Sequence, residues 1–187
     1  MPGVRVTGGS LRGRRIQLPR GVEVRPTSDR ARQAYFNIVR DRLAGARFLD
    51  LFAGTGIFSI EALSRGAGNA LAIDESQRGA AAISGIALSL ELELDVRCGK
   101  LPQALGAIAS EPPFDLVYAD PPYDLKLDTA TLVEIDAKLP LSPGAIVAIE
   151  HRAGLSALED LSLSRLRFTR DARYGNVAIA FFALSDT

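Results

Sequence analysis

The sequence is poor in the residue types that form several common kinds of site. Its 187 residues include one cysteine, Cys98, and one histidine, His151. These numbers are too small for a disulfide framework or for a zinc site of cysteine and histidine ligands. A Ser-His-Asp triad would depend entirely on His151, which disfavours that mechanism. We therefore expect no metal site, a buried strand position for Cys98 and no catalytic role for His151.

Long apolar segments are also missing. The longest unbroken apolar run, Val177–Leu184, has eight residues, whereas a helix needs about 20 to span a bilayer. The first residues contain no apolar stretch of the kind found in a secretory signal. From these features we predict a cytoplasmic protein without a membrane partner. With 47% hydrophobic residues, a chain of this length buries a core without needing disulfides.

Positive charge is concentrated at one end of the chain. Residues 1–47 contain eleven arginines and three acidic residues, whereas residues 48–187 contain eleven basic and nineteen acidic residues. The formal net charge of zero therefore combines a basic segment with an acidic remainder. Arginine, nineteen of the 22 basic residues, pairs with phosphates and stacks on bases. This favours nucleic-acid binding, although a GC-rich genome would also produce many arginines.

From residue 46 onward, short apolar runs alternate with segments of helical spacing. The predicted strands are Arg47–Phe52, Ala70–Asp74, Leu94–Cys98, Asp115–Ala119 and Ala145–Glu150, and the predicted helices are Ile57–Arg65, Arg78–Leu90, Leu101–Ile108 and Thr129–Leu139. This alternation predicts an α/β fold with a mostly parallel, doubly wound sheet and helices on both faces. Leu163–Arg170 and Tyr174–Leu184 predict a terminal antiparallel hairpin that turns at Asp171–Arg173.

The first 45 residues do not share this alternation. Val4–Thr7 and Arg14–Leu18 flank a glycine-rich segment and predict a small β-hairpin. A helix is predicted over Arg30–Leu43, after a capping segment at Pro26–Asp29. We therefore divide the chain into a basic appendage of hairpin and helix, residues 1–45, and a main domain, residues 46–187. The appendage is too small to have its own core.

A glycine turn follows the first predicted strand of the main domain. Asp50 lies near the end of that strand, and Gly54 and Gly56 permit positive φ and close approach of a ligand to the backbone. A dinucleotide fingerprint would have a third glycine where Ser59 stands. Asp50 would also repel a pyrophosphate, so the cationic S-adenosylmethionine suits the turn better. Asp74, at the end of the second strand, is the predicted acceptor for ribose hydroxyls. If each feature is considered alone, the alternative for the glycine turn is a turn that binds no ligand. The alternative for Asp74 is a solvated acid at the end of a strand.

The fourth strand leads directly into Asp120-Pro121-Pro122-Tyr123. The two prolines fix φ and lack N–H donors, so the segment offers the Asp120 carboxylate and the Pro121 carbonyl as acceptors and Tyr123 as an aromatic plane. These groups suit an exocyclic amino group on a flat base that stacks on the ring. In a doubly wound sheet this loop faces the glycine turn across a crevice.

Asp50–Gly56 and Asp120–Tyr123 together resemble the class I S-adenosylmethionine-dependent amino-methyltransferases with an (Asn/Asp)-Pro-Pro-(Tyr/Phe) motif. Further segments resemble the bacterial small-subunit (16S) ribosomal RNA guanine-N2 methyltransferases of the RsmD type over nearly the whole chain. These segments are Arg5–Gly9, Arg12–Arg14, Arg25–Arg30, Phe36-Asn37, Glu61–Ala67 and Tyr174–Asn176. The resemblance implies a Rossmann-like methyltransferase domain and the small-subunit RNA or the assembled 30S subunit as partner. Where such enzymes often have an acid near the adenine, this chain has Gly99-Lys100, which leaves adenine recognition to the backbone around Lys100 and Leu101.

The candidate site residues fall into three groups. The catalytic candidates are Asp120, Pro121, Pro122 and Tyr123; the cofactor-binding candidates are Asp50, Phe52, Ala53, Gly54, Thr55, Gly56, Asp74, Lys100 and Leu101; the RNA-binding candidates are Arg5, Arg12, Arg14, Arg15, Arg25 and Arg30. We expect a monomer that transfers the methyl group of S-adenosylmethionine to N2 of a guanine in 16S ribosomal RNA.

Three alternatives remain open. The same motif would serve adenine N6 or cytosine N4 in DNA or another RNA, although 187 residues leave little room for a DNA target-recognition domain. Ser59 disfavours a nicotinamide-dependent oxidoreductase. A non-enzymatic RNA-binding module would explain the basic N-terminal segment but not Asp120–Tyr123. A second arginine cluster at residues 165–173 fits a solvated face as well as an RNA contact.

Overall fold

The computed structural model describes residues 3–17, 29–123, 127–154 and 158–185. Its strands are β1 (Gly3–Arg5), β2 (Arg15–Gln17), β3 (Arg47–Leu51), β4 (Asn69–Asp74), β5 (Leu94–Cys98), β6 (Phe114–Ala119), β7 (Leu141–Arg152), β8 (Leu166–Tyr174) and β9 (Val177–Leu184). Its α-helices are α1 (Asp29–Ile38), α2 (Ile57–Ser64), α3 (Gln77–Ser89) and α4 (Leu127–Lys138), with 3₁₀ turns at Arg40–Arg42, Gln103–Ile108 and Leu158–Asp160.

Seven strands form the main sheet in the order β5-β4-β3-β6-β7-β9-β8. Strands β3 to β7 pair in parallel, whereas β9 is antiparallel to both β7 and β8. The predicted mostly parallel sheet with a terminal antiparallel hairpin is therefore confirmed. Strand order reverses at β3, which lies between β4 and β6. The carboxyl ends of β3 and β6 are adjacent, with Leu51 opposite Ala119, and ligands of such sheets bind at this point.

Apolar side chains cover both faces of the sheet because successive strand residues point to opposite sides. Phe48 belongs to a cluster with residues of α1 and α2, whereas Leu49 belongs to a second cluster with residues of α4 and the 3₁₀ turn at Gln103–Ile108. The sheet is thus the middle layer of three, as the sequence predicts.

The N-terminal strands form the predicted hairpin, with Val4 opposite Ile16. Val6 and Ile16 are buried in the same cluster as Tyr35, Phe36 and Phe48. The hairpin therefore packs on α1 and the main sheet.

Several local predictions are wrong. The terminal hairpin turns at Gly175-Asn176, where Gly175 has φ +67°, and not at Asp171–Arg173, which pairs in register with Ala178–Ala180. Residues 103–108 form a 3₁₀ turn in place of an α-helix. Cys98 is exposed, not buried, because β5 is an edge strand of the sheet.

The helix predicted over Arg30–Leu43 is divided in the structure. Helix α1 ends at Ile38, and a separate 3₁₀ turn follows at Arg40–Arg42. Among the described residues, no helix has the length and apolar character that crossing a membrane requires.

Candidate active site

A cavity of about 1180 Å³ lies at the carboxyl ends of β3, β4 and β6 and extends to the N-terminal hairpin and α1. Its volume exceeds that of a typical pocket for one small ligand. The lining residues include Gly3, Val4, Arg5, Arg15, Asp29, Arg32, Asp50, Phe52, Ala53, Gly54, Thr55, Ile57, Phe58, Asp74, Glu75, Ser76, Lys100, Leu101, Gln103, Tyr118, Asp120, Pro122 and Leu127. The glycine turn, the end of β6 and the basic hairpin therefore share one cavity.

The glycine turn adopts backbone conformations that favour glycine. Gly54 has φ +54° and Gly56 has φ +70°. A Cβ atom on Gly56 would lie 2.6 Å from Cγ2 of Ile83 on α3. Gly56 also immediately precedes α2, so this residue allows the backbone to turn from β3 into the helix.

Two carboxylates flank the turn. Asp74 accepts hydrogen bonds from the backbone N–H groups of Gly54, at 2.8 Å, and Ser76, at 2.9 Å. Asp50 is buried, and its Oδ2 accepts from both the N–H and the hydroxyl of Ser59. Burial, together with a smaller effect of the Asp74 charge, raises the pKa of Asp50 to about 7 against these two hydrogen bonds. Both carboxylates line the cavity, which suits a cationic ligand better than a pyrophosphate.

The Asp120–Tyr123 segment continues from β6 along the edge of the cavity. The Asp120 N–H donates to the Leu51 carbonyl at 3.3 Å, so the segment stays attached to β3. Asp120 and Pro122 line the cavity. Tyr123 is 40% exposed, and its hydroxyl donates to Oε1 of Glu150 at 2.6 Å.

The hairpin is held against α2 by a buried hydrogen-bond network. Glu61 is buried and accepts from the backbone N–H and hydroxyl of Thr7 and from the guanidinium groups of Arg32 and Arg65. Burial alone would raise the pKa of Glu61, but hydrogen bonds from Thr7 and Arg65 and the charge of Arg32 lower it overall. Ser64 adds bonds to the backbone of residues 8, 10 and 11.

The cavity includes most of the predicted site residues. Of the predicted set, its lining contains Asp50, Phe52, Ala53, Gly54, Thr55, Asp74, Lys100, Leu101, Asp120, Pro122, Arg5 and Arg15. Within the described parts of the chain, the lining does not include Gly56, Pro121, Tyr123, Arg12, Arg14 or Arg30. Arg25 lies outside the described residues, as do Pro26, Thr27 and Ser28 of the predicted helix cap. The functional assignments of these residues stay predictions.

The sequence analysis missed several residues at this site. Phe58, Gln103 and Tyr118 line the cavity, and Glu150 contacts Tyr123 from β7. Tyr118 immediately precedes Ala119-Asp120, so its closeness to the motif in the sequence could have identified it as a site residue. Glu150 ends a predicted strand beside β6, but only the strand order brings it to the motif.

Two residues outside the cavity have structural partners. Arg165, from the second arginine cluster, donates to the backbone carbonyls of residues 135, 136 and 139 at the end of α4. His151 is buried, and its Nε2 lies 2.9 Å from Oδ1 of Asp171. These contacts explain both side chains without a ligand.

Comparison with known proteins agrees with this geometry. A protein of Bacillus subtilis named "Putative rRNA methyltransferase YlbH" is 32% identical over 182 residues, which are 96% of this chain and 98% of that protein. Ribosomal RNA small subunit methyltransferase D of Escherichia coli K12 is 30% identical over 150 residues, 79% of this chain and 74% of that protein. The solved structure of the "Putative methyltransferase yhhF from Escherichia coli" superposes with a TM-score of 0.83 at 25% identity and covers both chains completely.

The family described as "Conserved hypothetical protein 95" matches residues 4–183. This range includes the basic hairpin, the glycine turn, the Asp120–Tyr123 segment and most of the terminal hairpin. The chain therefore belongs to the Conserved hypothetical protein 95 family.

Proposed function

We propose that this protein transfers a methyl group from S-adenosylmethionine to the N2 amino group of a guanine in small-subunit ribosomal RNA. The observation that carries the proposal is the single cavity that joins the glycine turn, Asp120 and the basic hairpin. The rRNA methyltransferase names of the two relatives support the reaction class and the RNA substrate. The resemblance supports guanine N2, and the amine-binding groups of the Asp120–Tyr123 segment support an exocyclic amino group as the methyl acceptor.

The residues of the cavity suit the cofactor. Gly54 allows close approach of the ligand to the backbone, and Asp74 retains acceptor capacity for ribose hydroxyls besides its two backbone bonds. Asp74 places negative charge near the turn, and Asp50 adds to it in its ionised form, which favours a cation. Bound S-adenosylmethionine supplies an electrophilic methyl group on a sulfonium, and a neutral thioether leaves when the methyl is transferred.

The protein's contribution to the reaction is orientation and electrostatic stabilisation. The guanine amino group is a poor nucleophile because its lone pair is conjugated with the ring. The Asp120 carboxylate and the Pro121 carbonyl accept its two hydrogens and direct the nitrogen toward the methyl group. Tyr123 stacks on the base, and the positive charge that develops on the nitrogen is stabilised by Asp120 until the proton leaves. Arg5 and Arg15 at the cavity provide phosphate contacts.

The first experiment is methyl transfer from labelled S-adenosylmethionine to purified small ribosomal subunits and to free 16S RNA, followed by nucleoside analysis. We expect N2-methylguanosine as the product. Methylated adenine or cytosine would replace the guanine assignment and leave the methyltransferase assignment intact. Absence of transfer to both substrates, with S-adenosylmethionine bound, would contradict the proposed substrate.

The first mutational prediction concerns Asp120. Asp120→Ala removes one of the two acceptors for the target amine, and loss of a preorganised hydrogen bond of this kind lowers the rate about 10²- to 10³-fold. Asp120→Asn, which keeps one acceptor oxygen, is the matched control and should retain more activity. The measurement is single-turnover methyl transfer at saturating subunits, with calorimetric titration of the cofactor. A near-normal rate for Asp120→Ala would contradict the mechanism.

A further inference from the structure

Glu150 is a buried carboxylate that the proposed reaction does not use. It lies near the end of β7 and is 2% exposed. Its Oε2 accepts a hydrogen bond from the Tyr118 hydroxyl and its Oε1 accepts one from the Tyr123 hydroxyl, each at 2.6 Å. A buried acid is unfavourable unless it is hydrogen-bonded, and each oxygen of Glu150 therefore has a partner.

The two tyrosines occupy different environments. Tyr118 is fully buried on β6, and its ring stacks on Phe58 with centroids 3.8 Å apart and an interplanar angle of 13°. Tyr123 is 40% exposed and follows the acceptors of the target amine. Glu150 thus connects a ring fixed by the core to a ring at the protein surface. The Tyr123 hydroxyl is the atom of that side chain farthest from the backbone, so a bond there restricts the swing of the ring about the Cα–Cβ bond.

We propose that Glu150 is a positioning residue that holds the Tyr123 ring in the orientation on which the target base stacks. The inference rests on the proposed function, because it requires a base as the ligand of Tyr123. Without Glu150, binding would also have to order the exposed ring, and this cost weakens substrate binding by about two- to tenfold for one side chain. Cofactor affinity should stay unchanged, because Glu150 does not line the described part of the cavity.

The hydrogen bond to Glu150 gives the Tyr123 hydroxyl a role in positioning its ring. Stacking alone needs only the ring, and on that basis Tyr123→Phe would be harmless. Because the hydroxyl donates to Glu150, Tyr123→Phe should instead weaken RNA binding as much as removal of the Glu150 carboxylate does. Tyr123→Ala should weaken it further, because the stacking surface is lost as well.

A double-mutant cycle tests this role. The four proteins are the wild type, Glu150→Ala, Tyr123→Phe and the double variant, and the measured quantities are the Kd for small subunits and the single-turnover rate at saturation. We expect each single change to raise Kd by about two- to tenfold and the double variant to match Tyr123→Phe alone. Independent effects, which would multiply in the double variant, would overturn the proposal.

The control for a purely structural effect is Tyr118→Phe, which removes the other hydrogen bond of Glu150. Glu150→Ala should raise Kd by the same factor in this background as in the wild type. Glu150→Gln keeps one acceptor oxygen and should restore part of the affinity. If Glu150→Ala does not fold, the cycle with Glu150→Gln tests the same claim, because its effect should also vanish in the Tyr123→Phe background.

A measurement without RNA separates this inference from the proposed function. The chain has four tyrosines, so ring-labelled tyrosine gives an NMR spectrum that single Tyr→Phe variants assign. In Glu150→Ala the Tyr123 signals should shift toward those of an exposed tyrosine that samples several rotamers about the Cα–Cβ bond, and unchanged signals would overturn the inference. A wild type that binds S-adenosylmethionine but methylates neither subunits nor 16S RNA would overturn the proposed substrate and this role with it. An active wild type with independent Glu150 and Tyr123 effects would overturn only the role of Glu150.

Discussion

At the residue scale, Asp50 has an unusual position for a carboxylate. It is buried beneath α2, and one of its oxygens accepts both hydrogen bonds from Ser59. The raised pKa of about 7 means that folding stabilises the protonated form relative to the ionised one. This contribution is fully present below the unfolded pKa of about 3.9 and is lost as the pH rises through 7.

We therefore predict that Asp50→Asn stabilises the protein in a pH-dependent manner. Asparagine is always neutral, and its Oδ1 accepts the same two bonds from Ser59. The variant should match the wild type near pH 4 and exceed its free energy of unfolding by a few kcal/mol, on the order of 4, above pH 7. Denaturant unfolding at pH 4, 6 and 8 measures the difference. A difference that stays constant with pH would contradict the raised pKa.

Gly56 provides a second prediction at this scale. Gly56→Ala introduces a Cβ at a φ of +70° and 2.6 Å from the Ile83 side chain, so we expect a loss of about 2–4 kcal/mol in unfolding free energy. The matched control is Gly85→Ala in the exposed part of α3, where no described atom lies within 4 Å of the added Cβ. That variant should gain about 0.5–1 kcal/mol. Thermal unfolding compares the two variants. Equal changes in their unfolding free energy would show that α3 moves at Ile83 to make room for the added Cβ.

At the scale of elements, the contact between the hairpin and α2 explains several segments of the sequence. Thr7 and Gly8 meet Glu61, Ser64 and Arg65. A Cβ on Gly9 would lie 1.9 Å from the Ser64 carbonyl oxygen, so the hairpin requires glycine at that position. Segments that are far apart in sequence are therefore the two sides of one interface.

The arginines of the hairpin give a prediction at the same scale. Arg5 and Arg15 line the cavity, whereas the described lining does not include Arg12 and Arg14. Reversing either pair to glutamate should weaken RNA binding and reduce its salt dependence by about one unit of slope per residue. We expect only the Arg5/Arg15 reversal to slow single-turnover transfer at saturating RNA, because that pair lines the same cavity as Asp120. Filter binding at several salt concentrations measures the slopes, and cofactor titration serves as the control.

If the Arg12/Arg14 reversal slows transfer more than the Arg5/Arg15 reversal does, the target nucleotide binds on the other side of the hairpin. Unchanged slopes for both pairs would show that the hairpin contributes structure only.

Element order was more predictable than element ends. The runs of apolar residues predicted the central parallel strands because β3, β4 and β6 are buried on both faces. Asp171–Arg173, which has a charged residue at each end, was placed in a turn, but β8 is an edge strand where charged side chains are tolerated. The burial of Cys98 was predicted wrongly for the same reason, since composition does not reveal which strand lies at the edge.

At the scale of the whole molecule, buried carboxylates predict the dependence of stability on pH. Asp136 accepts backbone N–H bonds from Ser164, Arg165 and Leu166, and these bonds lower its pKa although burial opposes them. The pKa of Glu61 is also lowered. The stability that these two groups contribute is lost as the pH falls through their lowered folded-state pKa values.

Asp50 acts in the opposite direction, so the melting temperature should be highest near the unfolded-state carboxylate pKa of about 4 and fall on both sides. Scanning calorimetry from pH 3 to 9 at constant ionic strength measures the profile. In Asp50→Asn the decrease toward neutral pH should become smaller while the acid side stays the same. A profile that rises from pH 5 to 8 in the wild type would contradict this account.

The candidate site was predictable where its residues follow one another in the chain. The glycine turn and the Asp120–Tyr123 segment are each continuous, and the strand order at β3 brings them together. Glu150, Arg32 and Phe58 were missed because each reaches the site or its motif through packing between elements that sequence spacing does not specify. Arg32 is a clear case: it is buried, and it donates to Glu61 on α2 and to the Arg5 carbonyl on the hairpin, both far from it in the sequence.

Helix α2 begins at the glycine turn and ends at the residues that hold the hairpin. Its eight residues span about 12 Å, so one rigid helix has the proposed cofactor site at one end and the proposed RNA-binding hairpin at the other. If binding of either ligand shifts this helix, thermodynamic reciprocity applies to both. The cofactor then changes the affinity for RNA by the same factor by which RNA changes the affinity for the cofactor. Communication between the two ligands would then need no hinge or moving domain, because both are attached to the same helix.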